Sequence, residues 1–198
     1  MNTENRKASV YGTMQAVLTY MNSPQEQKNL AGDLASIRNS VGKGYEEASE
    51  VWPILFPLIP VKYLGSGALT FGEKALLVTL QLYAIGQQGS NKVQNDESRS
   101  FGDSLHQVRD ERSAAMDRRF NTMLTAATFE EFAYYLRQLF KIGKAKDGFS
   151  VNYPALAEDL FWYQNGGDKK ISLKWARDYY RFHQSRESDS TESSAAGE

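Results

Sequence analysis

Residues 128–146 read T-F-E-E-F-A-Y-Y-L-R-Q-L-F-K-I-G-K-A-K. Phe129, Phe132, Leu136, Leu139 and Phe140 recur at the three- and four-residue spacing of one helix face, so the stretch predicts an amphipathic helix. Thr128, with Glu131 three residues on, makes a capping box that specifies the start. Arg137, Lys141 and Lys144 then fall at i, i+4 and i+7, with Lys146 beyond and no acid between them. Like charges on one face must be held together against their repulsion. Two explanations stand at this point: cations in a last turn complement the helix macrodipole and are solvated, or they form a face for a polyanion.

Working outward, nearly every patterned segment has a helical period. Val10, Met14, Val17, Leu18 and Met21 form one apolar stripe. Ser23, Pro24 and Glu26 supply N-cap, N1 proline and N3 acid for a helix carrying Leu30, Leu34 and Ile37. From Tyr45 the pattern meets Pro53, Pro57 and Pro60 and must break into short turns. Thr70 and Glu73 make a second capping box, opening a helix over 71–88 whose centre, Ala75 to Ile85, is apolar nearly all round and therefore buried. After a polar linker at 91–99 come helices near 101–111 and 113–126, the latter packing through Met116, Phe120, Met123 and Leu124. A loop at 147–152 follows, then a helix opened by Pro154, a Gly166–Gly167 loop and a last helix from Ser172 to about His183. No segment alternates at period two. The expected class is all-α: two small helical bundles, 8–90 and 100–183, joined by a short linker, with an acidic disordered tail over 184–198.

Composition narrows the function. The 198 residues hold no cysteine, which removes disulfide scaffolds, zinc ribbons and thiol catalysis. No apolar run approaches the roughly 20 residues of a membrane span, and residues 1–7 are polar, so neither a membrane segment nor a secretory leader is expected, and a cytoplasmic location is. The formal net charge of −1 averages unlike regions: Arg186 against Glu187, Asp189, Glu192 and Glu198 makes the tail −3 and leaves residues 1–183 at +2. Residues 99–146 hold nine cations and six acids. Positive charge thus collects around the 128–146 helix.

Catalytic and metal chemistry find no constellation. His106 and His183 are the two histidines, and neither has a triad pattern about it. Glu158 and Asp159 are adjacent and point about 100° apart on a helix; Glu46 and Glu50 share a face with no third ligand. No metal, cofactor or enzyme activity is expected. Gly67 to Lys74 (G-A-L-T-F-G-E-K) resembles a phosphate loop only superficially: Glu73 precedes the lysine, Ala75 stands where a hydroxyl must ligand magnesium, and the capping box accounts for the same residues. Cation placement remains. Arg109, Arg112 and Arg119 share a side if their two segments run on, Arg118 lies at the edge of the apolar stripe, and Arg38 and Lys43 close the helix that carries Leu30, Leu34 and Ile37, where the macrodipole explains them equally well. With Arg137, Lys141 and Lys144 these make a candidate surface for a nucleic-acid backbone, without base-specific readers.

The order of blocks L-L-V-T-L-Q-L-Y-A-I-G-Q-Q-G (76–89), S-F-G-D-S-L (100–105), R-R-F-N-T-M-L (118–124), F-E-E-F-A-Y-Y-L-R-Q-L (129–139), Y-P-A-L-A-E-D-L (153–160) and W-A-R-D-Y-Y (175–180), with I-R-N-S-V-G-K at 37–43, resembles the small subunit of the type I-E CRISPR Cascade complex, the CasB family. The resemblance implies a non-catalytic, all-helical subunit of two bundles within a crRNA-guided complex. It implies pairing with a second copy of itself, contact with the backbone and large subunits, and help in holding target DNA in an R-loop during antiviral defence. Carried to matching positions, the family's DNA- and RNA-binding surface falls on Arg38, Lys43, Arg118, Arg119, Arg137, Lys141, Lys144 and Arg177. Arg177 has a structural alternative, an ion pair with Asp178 or Asp159. The acidic tail is not explained by the resemblance. Competing readings are a helical protein–protein adaptor with solvated cations, and a helix-turn-helix regulator, which the aromatic 172–183 segment serves poorly.

Overall fold

The computed structural model describes residues 9–24, 29–44, 47–89, 92–110 and 114–181. In chain order its helices are α1 (Val10–Met21), α2 (Leu30–Asn39), α3 (Trp52–Leu55), α4 (Phe71–Gly86), α5 (Phe101–Gln107), α6 (Ala114–Leu124), α7 (Phe129–Lys144), α8 (Tyr153–Trp162) and α9 (Asp168–Tyr180). Two-residue strands β1 (Gln94–Asn95) and β2 (Ser150–Val151) pair in parallel, Gln94 with Ser150 and Asn95 with Val151. The protein is all-α apart from that bridge.

The starts follow side-chain chemistry. Thr70 accepts the Glu73 amide at 3.1 Å while Glu73 accepts the Thr70 amide at 2.6 Å and the Gly65 amide at 3.2 Å, so a buried carboxylate ties the incoming loop to α4. At α7 the box is shifted by one position: Thr128 accepts the Glu131 amide at 3.1 Å, but Glu131 reaches back to Ala127, at 2.8 Å. Asn152 caps α8 by accepting the Ala155 amide at 3.0 Å, with Pro154 in the first turn. The proline-rich stretch breaks up as its prolines require, into α3 and 3-10 turns at Phe56–Leu58 and Val61–Tyr63. The expected start at Ser23, Pro24 and Glu26 falls partly outside the described residues, and the described part of α2 begins at Leu30.

Two boundaries differ from expectation. The last helix begins at Asp168, four residues before Ser172: Gly166, at φ +78°, turns the chain within the wide turn Tyr163–Gly167, so α8 feeds almost directly into α9. Helix α5 stops at Gln107 rather than near 111, and Arg109 beyond it turns to Asp117.

Helix α4 is the axis of the fold. From Ala75 to Gly86 every side chain is buried, which only a helix surrounded by others permits. Helices α2, α7 and α8 pack against it, α8 also lies along α1, α9 lies on α5, and α6 lies on α7. The two halves expected on either side of residues 89–100 therefore share one apolar interior. Helix α7 contributes Phe132, Leu136, Leu139 and Phe140 to it, the face read from the sequence. At Gly86 the packing is close: an added Cβ would meet the Tyr153 hydroxyl at 2.5 Å. The buried polar groups of α4 are paired, Thr79 to the Ala75 carbonyl at 2.9 Å and Gln81 to the Ser40 hydroxyl at 2.9 Å. That arrangement fixes α2 and α7 on either side of α4's C-terminal end, where three of the expected cations meet.

Candidate nucleic-acid interface

The carbonyls of a helix's last turn have no partner within the helix and carry its negative dipole end. At α4 they draw cations from two neighbours. Arg38 of α2 donates to the Ala84 carbonyl at 3.1 Å; Lys144 of α7 donates to the Ile85 carbonyl at 2.6 Å and also to that of Gln88. Over these contacts lies an open notch of about 360 Å3, walled by Arg38, Lys141 and Lys144 and floored by Val41, Ile85 and Gln88. Lys141, one turn before Lys144, is exposed and makes no ion pair among the described residues.

The notch is electrostatically tense. Partial burial, and then the nearby Arg38 guanidinium, hold the Lys144 ammonium below its ordinary pKa. Two cations thus share a partly desolvated corner, and the carbonyls that hold them do not remove their mutual repulsion. An anion placed between them relieves it. One helical turn back, Arg137 donates to the Gln81 side-chain oxygen at 2.7 Å, and Gln81 in turn donates to Ser40, so α7, α4 and α2 are cross-linked through one amide. Gln81 had a signal in the sequence, a lone amide inside L-L-V-T-L-Q-L-Y-A-I-G, which the reading of cations passed over.

The other expected cations are elsewhere. Lys43 pairs with Glu50 at 2.7 Å on the surface, and that bond holds the Glu50 carboxyl below its usual range. Arg118 and Arg119 are exposed on α6, Arg119 leaning on the Ala115 carbonyl. Arg177 is exposed on α9 and its structural alternative is not realised: Asp159 is held by Lys174 at 2.8 Å and by the Trp175 indole at 2.8 Å, and Asp178 accepts from Ser100. Arg109, expected to share a side with Arg119, is instead half-buried and bound within the protein. Its Nε and Nη2 each donate to Asp117 at 2.8 Å, Tyr179 donates to the same carboxylate at 2.7 Å, and the guanidinium lies over the Tyr179 ring. Arg112 and His183 lie outside the described residues, as does the acidic tail. His106 sits with Nδ1 2.9 Å from the Tyr179 carbonyl oxygen. Among the described residues no helix is long and apolar enough to cross a membrane.

The family profile described as CRISPR-associated protein Cse2 matches residues 33–180, three quarters of the chain. The chain belongs to the Cse2 family. Its fold agrees with solved Cse2 proteins, also called CasB. CasB from Thermobifida fusca superposes with a TM-score of 0.65 at 20% identity, over 87% of this chain and 96% of that one. CasB from Thermus thermophilus gives 0.62 at 21% identity, over 91% and 99%. A chain of a CRISPR RNA-guided surveillance complex gives 0.63 at 16% identity, over 87% and 94%. Among curated proteins none matches. Within the Cse2 match lie Arg38, Lys43 and every cation of α6, α7 and α9 named above.

Proposed function

We propose that this Cse2-family protein is the non-catalytic small subunit of a crRNA-guided type I-E Cascade complex. In this reading its basic surface holds the backbone of target DNA after strand separation and so stabilises the R-loop. The observation that carries it is the notch where Arg38, Lys141 and Lys144 converge: a strained cluster of cations, open to solvent, is suited to phosphate oxygens. Exposed Arg118, Arg119 and Arg177 extend the charge to α6 and α9, and Lys43 adds to it once Glu50 is outcompeted.

Exchange of a DNA duplex for an RNA–DNA hybrid is nearly balanced in free energy, so a few backbone contacts decide whether the open state persists. Contacts without base readout suit any guide. The partners in this reading are the backbone and large subunits, the crRNA, target DNA and a second copy of the chain, in the cytoplasm and with no cofactor. The acidic 184–198 tail then tempers the chain's affinity for stray nucleic acid.

A second reading, a helical adaptor with no nucleic-acid contact, is favoured by one observation: Arg38, Arg137 and Lys144 all bond within the protein. The test is electrophoretic binding of target duplex by the rest of a type I-E complex with its crRNA. It is run without this chain, with the wild type, and with Arg118, Arg119 and Lys141 changed to glutamate. R-loop stabilisation requires that the wild type tighten binding and that the variant join the complex without doing so. Equal action by both versions establishes the adaptor.

A further inference from the structure

Helix α7 carries more than charge on its outer face. Tyr134 is 55% exposed there. At 3.6 residues per turn Lys141, seven residues on, lies about 20° from Tyr134 around the helix and roughly 10 Å along it; Arg137 and Lys144 lie further round on Lys141's side, about 60° and 80° from Tyr134, and Gln138 about 40° to the other side. An isolated exposed tyrosine is ordinary. This one is placed differently, because its ring is set edge-to-face on Tyr135, with centroids 5.3 Å apart and planes at 74°, and Tyr135 packs against the core. The Tyr134 ring is thereby buttressed along one side, with exposed Lys141 two turns on along the same face, so little rotamer freedom is left to lose when something lies on it.

We infer that Tyr134 is a stacking platform for a base of single-stranded nucleic acid whose phosphates run along Lys141 toward the notch at Lys144 and Arg38. The inference rests on the basic-face reading above and adds to its backbone contacts a contact with a base of the separated strand. A duplex keeps its base faces inside the stack. An aromatic ring beside cations therefore favours the strand that has lost its partner, whatever its sequence, since every base has a π-face. The amphipathic ring also explains why an aromatic residue stands exposed on a polar face without joining the core.

The experiment uses the full chain at low ionic strength, where weak phosphate contacts are least screened. Three probes of equal length are compared: an oligothymidylate, the same backbone made abasic, and a duplex. Tyr134→Ala is expected to weaken oligothymidylate binding by about 5-fold or more, the range of one base stack, and to leave the abasic strand and the duplex unchanged. Tyr134→Phe retains wild-type binding. Lys141→Glu weakens all three probes. If Tyr134→Ala binds oligothymidylate like the wild type, or loses abasic strand equally, the stacking inference is overturned while the basic face stands on Lys141→Glu. If Lys141→Glu changes nothing, the basic-face reading fails and the inference with it. Wild-type protein that binds no oligothymidylate overturns the inference and leaves the basic face to the assembled-complex assay.

Discussion

Lys144→Met separates a structural clamp from a site held ready for an anion. Methionine keeps most of the unbranched stem and its packing and removes the ammonium. If Lys144 served only to finish α4, losing its two bonds to the Ile85 and Gln88 carbonyls would cost about 2–3 kcal/mol, the scale of hydrogen bonds to a charged group, with a few tenths more from the helix dipole. Opposing this are the partial desolvation of the ammonium and its repulsion by Arg38, which together hold its pKa below the ordinary 10.5. That direction means the charge is worse placed in the folded protein than in water. The opposing contributions should leave the net loss at about 1 kcal/mol or less, a fall in Tm of roughly 2–4 °C for a chain this long.

The pH dependence has a definite sign. Below the folded pKa both states hold the proton and the penalty is fully present. Between the lowered folded pKa and 10.5 the unfolded chain keeps a proton that the folded one releases, so the wild type gains stability relative to Lys144→Met as pH rises toward 10.5. Thermal unfolding followed by circular dichroism at neutral and alkaline pH reads both effects. A loss well above 2 kcal/mol at neutral pH, with no relative gain by the wild type at alkaline pH, would refute the argument that the notch is strained and would make Lys144 a clamp.

Glu73→Ala removes a buried acceptor shared by the Gly65 and Thr70 amides and should cost about 2–4 kcal/mol; chemical denaturation measures it, and a loss under about 0.5 kcal/mol contradicts the account of the α4 start. Asp117 is held below its ordinary pKa, first by Arg109 and also by the Tyr179 hydroxyl. Its contribution is present above pH 3.8 and is lost as pH falls through the lower folded value, so the stability gap between wild type and Asp117→Asn should narrow in acid titration below about pH 4. A gap that widens there is the contrary result.

How much of this was legible depended on whether a feature is local. The faces of α1 and α7, the buried run of α4, the proline breaks and the Thr70–Glu73 box are set by residues three or four apart, and each was readable. The late start assigned to the last helix came from treating Gly166–Gly167 as a loop; a positive φ at Gly166 lets a wide turn join α8 to α9 instead. The β1–β2 bridge links residues 94–95 with 150–151 and involves two residues a side, too short to leave a period. The placement of α8 against both α1 and α4 likewise has no local signature.

For the candidate interface, the stripe Arg137, Lys141, Lys144 was readable on one helix. That Arg38 comes to the same corner was not, because it depends on α2 crossing the end of α4, fixed by Gln81 and Ser40. The sequence likewise gave no means of telling that Arg109 is spent on Asp117 while Arg118 and Arg119 face solvent. Partners distant in sequence sort these cations: Asp117 binds Arg109, and Asp159 binds Lys174 rather than Arg177.

The central claim is that cations of this chain bear on nucleic-acid backbone in the assembled complex, and its most direct measurement is the salt slope of R-loop formation. Target binding by the complex is measured over a series of salt concentrations with wild-type chain and with Arg118, Arg119 and Lys141 changed together to alanine. Each lost phosphate contact should lower the slope of log K against log salt by roughly 0.7 to 0.9. The account predicts a shallower slope and weaker binding for the variant, uniformly across guide sequences. An unchanged slope at unchanged assembly contradicts it.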